Sequence, residues 1–296
     1  MTRIVNCVMH AGMTVSHLTT RFAPSPTGWL HLGHAHSALT AFRTAQDLNG
    51  QFLLRMENID PSRCRPEYEA AIFEDLAWLG LSWESPVRRQ SEHAPYYAAG
   101  LARLSALGVL YPCFCTRRDI ATEISRMGFA PHAGETLPYP GTCRNVPPED
   151  AAQRMADGQP YALRINVARA LSITGPLSWL DAQAGPQKAM PARLGDAILA
   201  RKDVPMSYHL CVTMDDALQG VTHIIRGHDL FEATHLHRLL QALLGYDAPQ
   251  YRHHPLLCNE NGQKLSKRDG AITIRDLRAQ GLCPADVRAR AGIADR

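Results

Sequence analysis

No apolar run in this 296-residue chain approaches the ~20 residues that carry a helix across a bilayer, so no membrane partner is expected. The first twenty residues also lack the sustained apolar stretch of a secretion signal: Asn6, His10, Ser16 and His17 break it up, and Met13 serves as a start as well as Met1. A cytoplasmic location is the expectation. Neither charge dominates, and the net +3 excludes a purely electrostatic nucleic-acid binder while leaving room for a local basic face. Low-complexity tracts are absent, and 45% hydrophobic against 20% charged residues excludes a disordered chain. A disulfide framework is missing too. Of the eight cysteines, Cys7, Cys64, Cys211, Cys258 and Cys283 are scattered, and only Cys113, Cys115 and Cys143 form a group. Without a secretion signal, that group reads as reduced thiols around a metal.

What is present has the length for about two domains at ~100–200 residues each, and for a sizeable core. Residues 19–23 read as a short strand entering a Pro/Gly turn. Ala35, Leu39, Phe42, Ala45 and Leu48 then recur at helical spacing until Asn49-Gly50. Phe52–Arg55 is a second strand. Pro66 opens a helix with Tyr68, Ile72, Leu76 and Leu79 on one face. Alternating strands and helices imply a parallel sheet, whose ligands sit at the carboxyl ends of strands where the winding switches. From residue 109 to about 191 the alternation gives way to Cys, Pro and Gly with short segments such as 161–167, which marks an inserted subdomain. The α/β pattern resumes with Tyr208–Met214, with Asp215 and Asp216 as strand-end carboxylates of no assigned role. A strand at Val221–Arg226 follows, then a helix over about 230–244 with Leu236, Leu239, Leu240 and Leu243 inward. Two short helical pieces, 275–280 and 285–291, end the chain.

Two segments carry the chemistry. Arg21-Phe22-Ala23-Pro24-Ser25-Pro26-Thr27-Gly28-Trp29-Leu30-His31-Leu32-Gly33-His34 places imidazoles and a close-approach glycine where a helix begins, a natural seat for phosphate. Far downstream, Lys264-Leu265-Ser266-Lys267-Arg268 brings ammonium groups that can close over the β- and γ-phosphates as pyrophosphate develops. Each has a bland reading: N-capping or solvated histidines, a His31/His34/His36 metal cluster, a solvated lysine patch. Activating a carboxylate requires no general base, because the acid is already ionised at neutral pH. It requires donors that do not move, aimed at developing charge. His31, Gly33, His34 and Lys267 suit ATP, with His31, His34, Lys264 and Lys267 as the catalytic set. A substrate with a side-chain carboxylate wants forked guanidinium donors, and Arg21 and Arg226 can converge on one; taken alone, Arg226 or Glu57 is as readily a surface ion pair.

In this order the two segments resemble the signature motifs of the class I aminoacyl-tRNA synthetases, and the Arg-Phe-Ala-Pro-Ser-Pro-Thr-Gly lead-in is the form of the glutamyl branch. Leu265 and Arg268 depart from the family's second motif without touching the lysines. The resemblance covers residues 19 to about 285 and implies an α/β, Rossmann-like catalytic domain in two parts, 19–108 and 192–258. It also implies a zinc-binding insertion of the acceptor type at 109–191, an N-terminal extension at 1–18, and a lysine loop with short helices at 259–296. By the same resemblance Arg21, Phe22, Ala23, Pro24, Ser25 and Arg226 bind L-glutamate, Tyr208 packs over it, Glu57 takes its α-ammonium, and Mg²⁺ accompanies ATP. Cys113, Cys115 and Cys143 supply three thiolates for one structural zinc. His132 is the more ordinary fourth ligand, while the family's Tyr-x-x-x-Cys module favours Tyr139; buried cysteines without metal are the alternative.

A full glutamyl enzyme continues past the lysine motif into an anticodon-binding domain, for which no length remains here. The resemblance therefore narrows to the short glutamyl paralogues, monomers that form glutamyl adenylate without tRNA and transfer glutamate to the queuosine base in the anticodon loop of tRNA(Asp). A truncated or split synthetase charging the 3′ end of tRNA(Glu), and a non-catalytic RNA-binding module, are the competing expectations.

Overall fold

The computed structural model describes residues 18–126, 139–204, 206–258 and 272–293. In chain order the elements are β1 (Thr19–Phe22), α1 (Leu32–Asp47), β2 (Gln51–Met56), α2 (Pro66–Trp78), β3 (Glu84–Arg89), α3 (Ala94–Ala106), β4 (Leu110–Cys113), α4 (Arg117–Arg126), α5 (Pro148–Ala156), β5 (Ala162–Ile165), α6 (Val167–Thr174), β6 (Ser178–Asp181), β7 (Gly185–Lys188), β8 (Ile198–Ala200), α7 (Tyr208–Leu218), β9 (His223–Gly227), α8 (Phe231–Leu244), β10 (Gln250–His254), α9 (Ile274–Ala279) and α10 (Pro284–Arg290).

β1, β2 and β3 pair in parallel, as do β9, β10 and β6, with β7 antiparallel at the far edge. The two ladders meet at β1 and β9, where the Thr222 amide donates to the Thr19 carbonyl at 3.0 Å. The resulting order, β3-β2-β1-β9-β10-β6, is that of a doubly wound nucleotide-binding sheet, and its winding reverses between β1 and β9. All four residues of β1 are buried, as expected for a central parallel strand covered on both faces.

The helices follow their apolar spacing. α1 buries Ala35, Ala38, Leu39, Ala41 and Ala45, and a buried leucine such as Leu39 contributes roughly 1.5–3 kcal/mol. Leu48, placed on that face by spacing, falls past the last turn and is 54% exposed. α2 starts with Pro66 in its first turn, where the missing N–H costs nothing. The chain's last two helices return to this half: Ile274, Leu277, Val287 and Ala291 enter the core formed by β1, α1, β2 and α2, and the His36 Nδ1–H donates to the Ala291 carbonyl at 2.7 Å.

One segment departs from expectation. Tyr208–Met214 is part of helix α7, so Asp215 and Asp216 sit near that helix's C-terminus and not at a strand end. Every residue from Leu210 to Asp216 is buried, so α7 lacks the polar face that makes a helical period visible. The smaller sheet, β4-β5-β8, is antiparallel and carries α4, α5 and α6 along its stretch of chain. The two sheets interleave: the β6–β7 hairpin lies before residue 191 yet joins the large sheet, while β8 lies after it and closes the small one.

Candidate active site

A cleft of about 560 Å³ opens at the carboxyl ends of β1 and β9, where the sheet's winding reverses. Its walls bring together Arg21, Phe22, Ala23, Pro24, Ser25, His31, Gly33, His34, Glu57, Tyr208 and Arg226. Lys264 and Lys267 lie outside the described residues. Thr27 of the opening motif and His36, read from the sequence only as part of an alternative metal cluster, also line the cleft, and Ser37, Gly227, His254 and Leu256 line it without having been singled out from the sequence. Ser37 and His254 form a pair: the His254 Nδ1–H donates to the Pro255 carbonyl at 2.9 Å, so its Nε2 accepts from the Ser37 hydroxyl at 2.8 Å.

At one end, α1 begins with an imidazole cap. His31 Nδ1 accepts the Gly33 amide at 3.1 Å, and His34 Nδ1 accepts the His31 amide at 3.2 Å. Since both Nδ1 atoms accept, each neutral ring carries its proton on Nε2. Capping and phosphate binding are therefore compatible uses of the same two rings. A Cβ on Gly33 would stand 3.0 Å from His31 Cε1, so glycine here leaves room for the capping ring. The first-turn amides and the positive end of the helix dipole add to a seat for negative charge.

At the other end stand the two arginines, in different company. Arg21 is buried and gives Nε and Nη2 to the two oxygens of Asp216 at 3.1 and 3.3 Å. Asp216 also takes Arg55 Nη1 at 2.8 Å, and Arg55 Nη2 reaches Glu57 Oε1 at 3.2 Å. Burial alone would raise the Asp216 carboxyl, but the Arg21 and Arg55 guanidiniums hold it below the usual carboxylate range. Glu57 goes the other way: burial pushes it up against the pull of Arg55 and Arg21, so an arriving cation would favour its charged form. Arg226, at the end of β9, meets no carboxylate among the described residues. It donates to His253 Nε2 at 3.1 Å, His237 Nδ1 at 3.2 Å, Thr234 Oγ1 at 2.6 Å, the Leu230 carbonyl at 3.2 Å and the Tyr208 hydroxyl at 3.5 Å. None of these histidines was singled out from the sequence, although five of the chain's fourteen fall between His228 and His254, at 228, 235, 237, 253 and 254.

Away from the cleft, the Sγ atoms of Cys113, Cys115 and Cys143 lie within 4.8 Å of one another, with Cys115 and Cys143 at 3.4 Å. The Tyr139 hydroxyl completes the cluster at 3.4 Å from Cys113 Sγ and 3.6 Å from Cys115 Sγ. Thiolates ~2.3 Å from a tetrahedral zinc stand roughly 3.8 Å apart, so the donor set fits such an ion. His132 lies outside the described residues. Burial pushes the Cys115 thiol up to about 11, and burial with hydrogen bonds to Cys113 and Cys115 holds the Tyr139 phenol far above its usual range. Burial would raise Cys113 as well, but hydrogen bonds with Tyr139 and Arg164 bring it below a free thiol. A cation at the centre would take the place of the protons, since thiols and a phenol bind a metal in their ionised forms.

This sheet order, with an imidazole-capped helix at its switch point, defines a class. Residues 17–290 match the catalytic domain of the class I tRNA synthetases (E and Q), and the chain belongs to that family. Within it, the chain is 44% identical to glutamyl-Q tRNA(Asp) synthetase of Rhodobacter capsulatus, over 93% of this chain and 100% of that one. It is 37% identical to glutamate–tRNA ligase of Aquifex aeolicus over 91% of its own length, but spans only 55% of that enzyme. Among solved structures, a glutamate tRNA ligase from Elizabethkingia meningosepticum in complex with its amino acid superposes with a TM-score of 0.77 at 27% identity, covering 93% of this chain and 60% of that one.

Proposed function

We propose that this chain activates L-glutamate with ATP and Mg²⁺, without tRNA, and transfers the glutamyl group to the queuosine base in the anticodon loop of tRNA(Asp). The observation that carries the activation step is one cleft with an imidazole-capped helix start at one end and, at the other, a guanidinium that meets no carboxylate among the described residues. The acceptor reading is supported by end-to-end likeness to an enzyme of that name.

In this reading Arg226 takes the side-chain carboxylate, assisted by Arg21, and Glu57 takes the α-ammonium. Residues 22–25 and Tyr208 wall the substrate in. The α-carboxylate, held in line, attacks the α-phosphorus; the bond to the β-phosphate oxygen breaks and pyrophosphate leaves. His31 and His34 donate from Nε2 to the charge that develops, Gly33 admits the nucleotide, and Lys264 and Lys267 neutralise the departing pyrophosphate. Mg²⁺ screens the phosphate oxygens when bound. A hydroxyl of the queuosine cyclopentene ring then attacks the acyl carbonyl and AMP departs, leaving an ester on the modified base. One zinc, held by Cys113, Cys115, Tyr139 and Cys143, braces the insertion formed by residues 109–191 with β8. The chain acts in the cytoplasm as a monomer.

The test offers labelled glutamate and ATP to queuosine-modified tRNA(Asp), digests the product with nuclease and asks which fragment is labelled. The anticodon fragment is expected. Label on the 3′-terminal adenosine, or efficient charging of unmodified tRNA(Glu), overturns the acceptor assignment and favours a synthetase of the tRNA(Glu) type. Absence of glutamate-dependent pyrophosphate exchange overturns activation itself.

A further inference from the structure

A guanidinium can only donate, so every atom facing Arg226 must accept, and this settles the protons of the rings around it. His253 receives Arg226 Nε on Nε2, hence its proton sits on Nδ1 and is donated to Asp181 Oδ2 at 2.7 Å. His237 receives Nη1 on Nδ1, hence its proton sits on Nε2 and goes to His209 Nδ1 at 3.1 Å. Thr234 and the Leu230 carbonyl take Nη2. Arg226, His237, His253 and Thr234 are all buried, so these partners are fixed by packing. The nearest acid on this path, Asp181, is kept behind the width of the His253 ring and is further occupied by the Gln183 and Ala184 amides at 2.9 Å. Arg21, one strand away, is neutralised directly by Asp216.

We propose that His237 and His253 are specificity-determining positioning residues: their lone pairs aim Arg226 without cancelling its charge, so the guanidinium itself stays charged for an anionic side chain. This rests on the reading that Arg226 meets the substrate's side chain. A carboxylate in their place would aim the guanidinium equally well and leave a nearly neutral pair, to which an acid and its amide look alike. With imidazole acceptors, glutamine leaves the charge of the buried guanidinium uncompensated, and only a carboxylate, taking over the long 3.5 Å contact with the Tyr208 hydroxyl, balances it. Burial first, and then the Arg226 charge, favours the unprotonated form of both rings: His253 is pushed down to about 4 and His237 well below its usual range.

The experiment measures pyrophosphate exchange with glutamate and with glutamine for His237→Ala, His237→Gln, His237→Glu and Arg226→Ala, alongside thermal melts. His237→Ala is expected to raise the KM for glutamate about tenfold or more while kcat and the KM for ATP move less than about threefold. His237→Gln, whose amide oxygen accepts from Arg226, should recover most of that loss. His237→Glu should reduce the preference for glutamate over glutamine by about a hundredfold. A glutamate KM within twofold of native for His237→Ala, an equal rise in both KM values, or a native preference in His237→Glu overturns the proposal. If the alanine variant does not fold, the Gln and Glu variants, which differ by one charge, decide it. Should Arg226→Ala leave the KM for glutamate unchanged, the substrate reading itself falls; should it abolish exchange while the His237 variants behave as native, only the role of the imidazoles falls.

Discussion

Arg21 and Arg226 stand on neighbouring strands and line the same cleft, but the first shares a carboxylate with Arg55 and the second is cradled by rings. Asp216 is therefore shared property, and its loss reaches both guanidiniums at once. Asp216→Asn should destabilise the fold by about 3 kcal/mol, the low end for uncovering a buried charge because Arg55 keeps Glu57 and Asp215. Urea unfolding measures it. Lys267→Ala, in contrast, should leave stability alone and slow pyrophosphate exchange about a hundredfold, a loss of ~3 kcal/mol confined to the step in which pyrophosphate charge appears. Arg21 to Ser25, His31, Gly33 and His34 were legible because they fall in one short run where a strand turns into a helix. Their partners were not. Asp216 lies 195 positions from Arg21, and no local pattern reports a pairing made by strand order.

The cysteine module shows how far an element can be read from spacing. The grouped cysteines named three donors, while Tyr139 as the fourth, against His132, came from the family resemblance; the Tyr139 ring lies under Arg164 at 3.8 Å, and its hydroxyl accepts the Cys143 amide at 2.8 Å. Zinc analysis should give one ion per chain. Cys143→Ser should lower zinc content and the melting midpoint together, since metal binding is folding free energy for so small a module. Tyr139→Phe keeps the ring and removes only the oxygen, so it should weaken zinc retention against a chelator. If His132→Ala releases the metal and Tyr139→Phe does not, the fourth ligand is the histidine. Helix α7 is the opposite case. A helix buried all round carries neither a two-residue nor a 3.6-residue period, and only its contacts with α8 and α3 reveal what it is.

At the scale of the whole molecule, the parallel sheet was visible in the alternation of its first half, but the interleaving of the two sheets was not, because strand partners are chosen in three dimensions. The buried imidazoles behind the cleft give the fold a pH signature. His209 and His253 are pushed down to about 4 by burial and by Arg226, so their contribution is intact above about 6.5 and is lost as pH falls toward 4. Asp75, raised to about 6 by burial, acts in the opposite sense, losing stability as pH rises through that value. Two histidines, joined by His237 with its protonation also suppressed by burial, outweigh one carboxyl, so the melting midpoint should be highest above about pH 6.5 and drop by several degrees toward pH 4 in a calorimetric series. The helices α9 and α10 add an order in time. Their Ile274, Leu277, Val287 and Ala291 belong to the same core as Phe22, Leu39 and Leu54, so β1 and α1 wait for helices made much later. Chains stalled at Cys258 should be cut by protease within α1 even though every residue of α1 has long emerged, while synthesis that carries Ala291 clear of the ribosome should close that helix to the enzyme. Until then the nascent chain has its imidazoles and both arginines but no finished wall beneath them, and glutamate activation waits on the docking of α9 and α10.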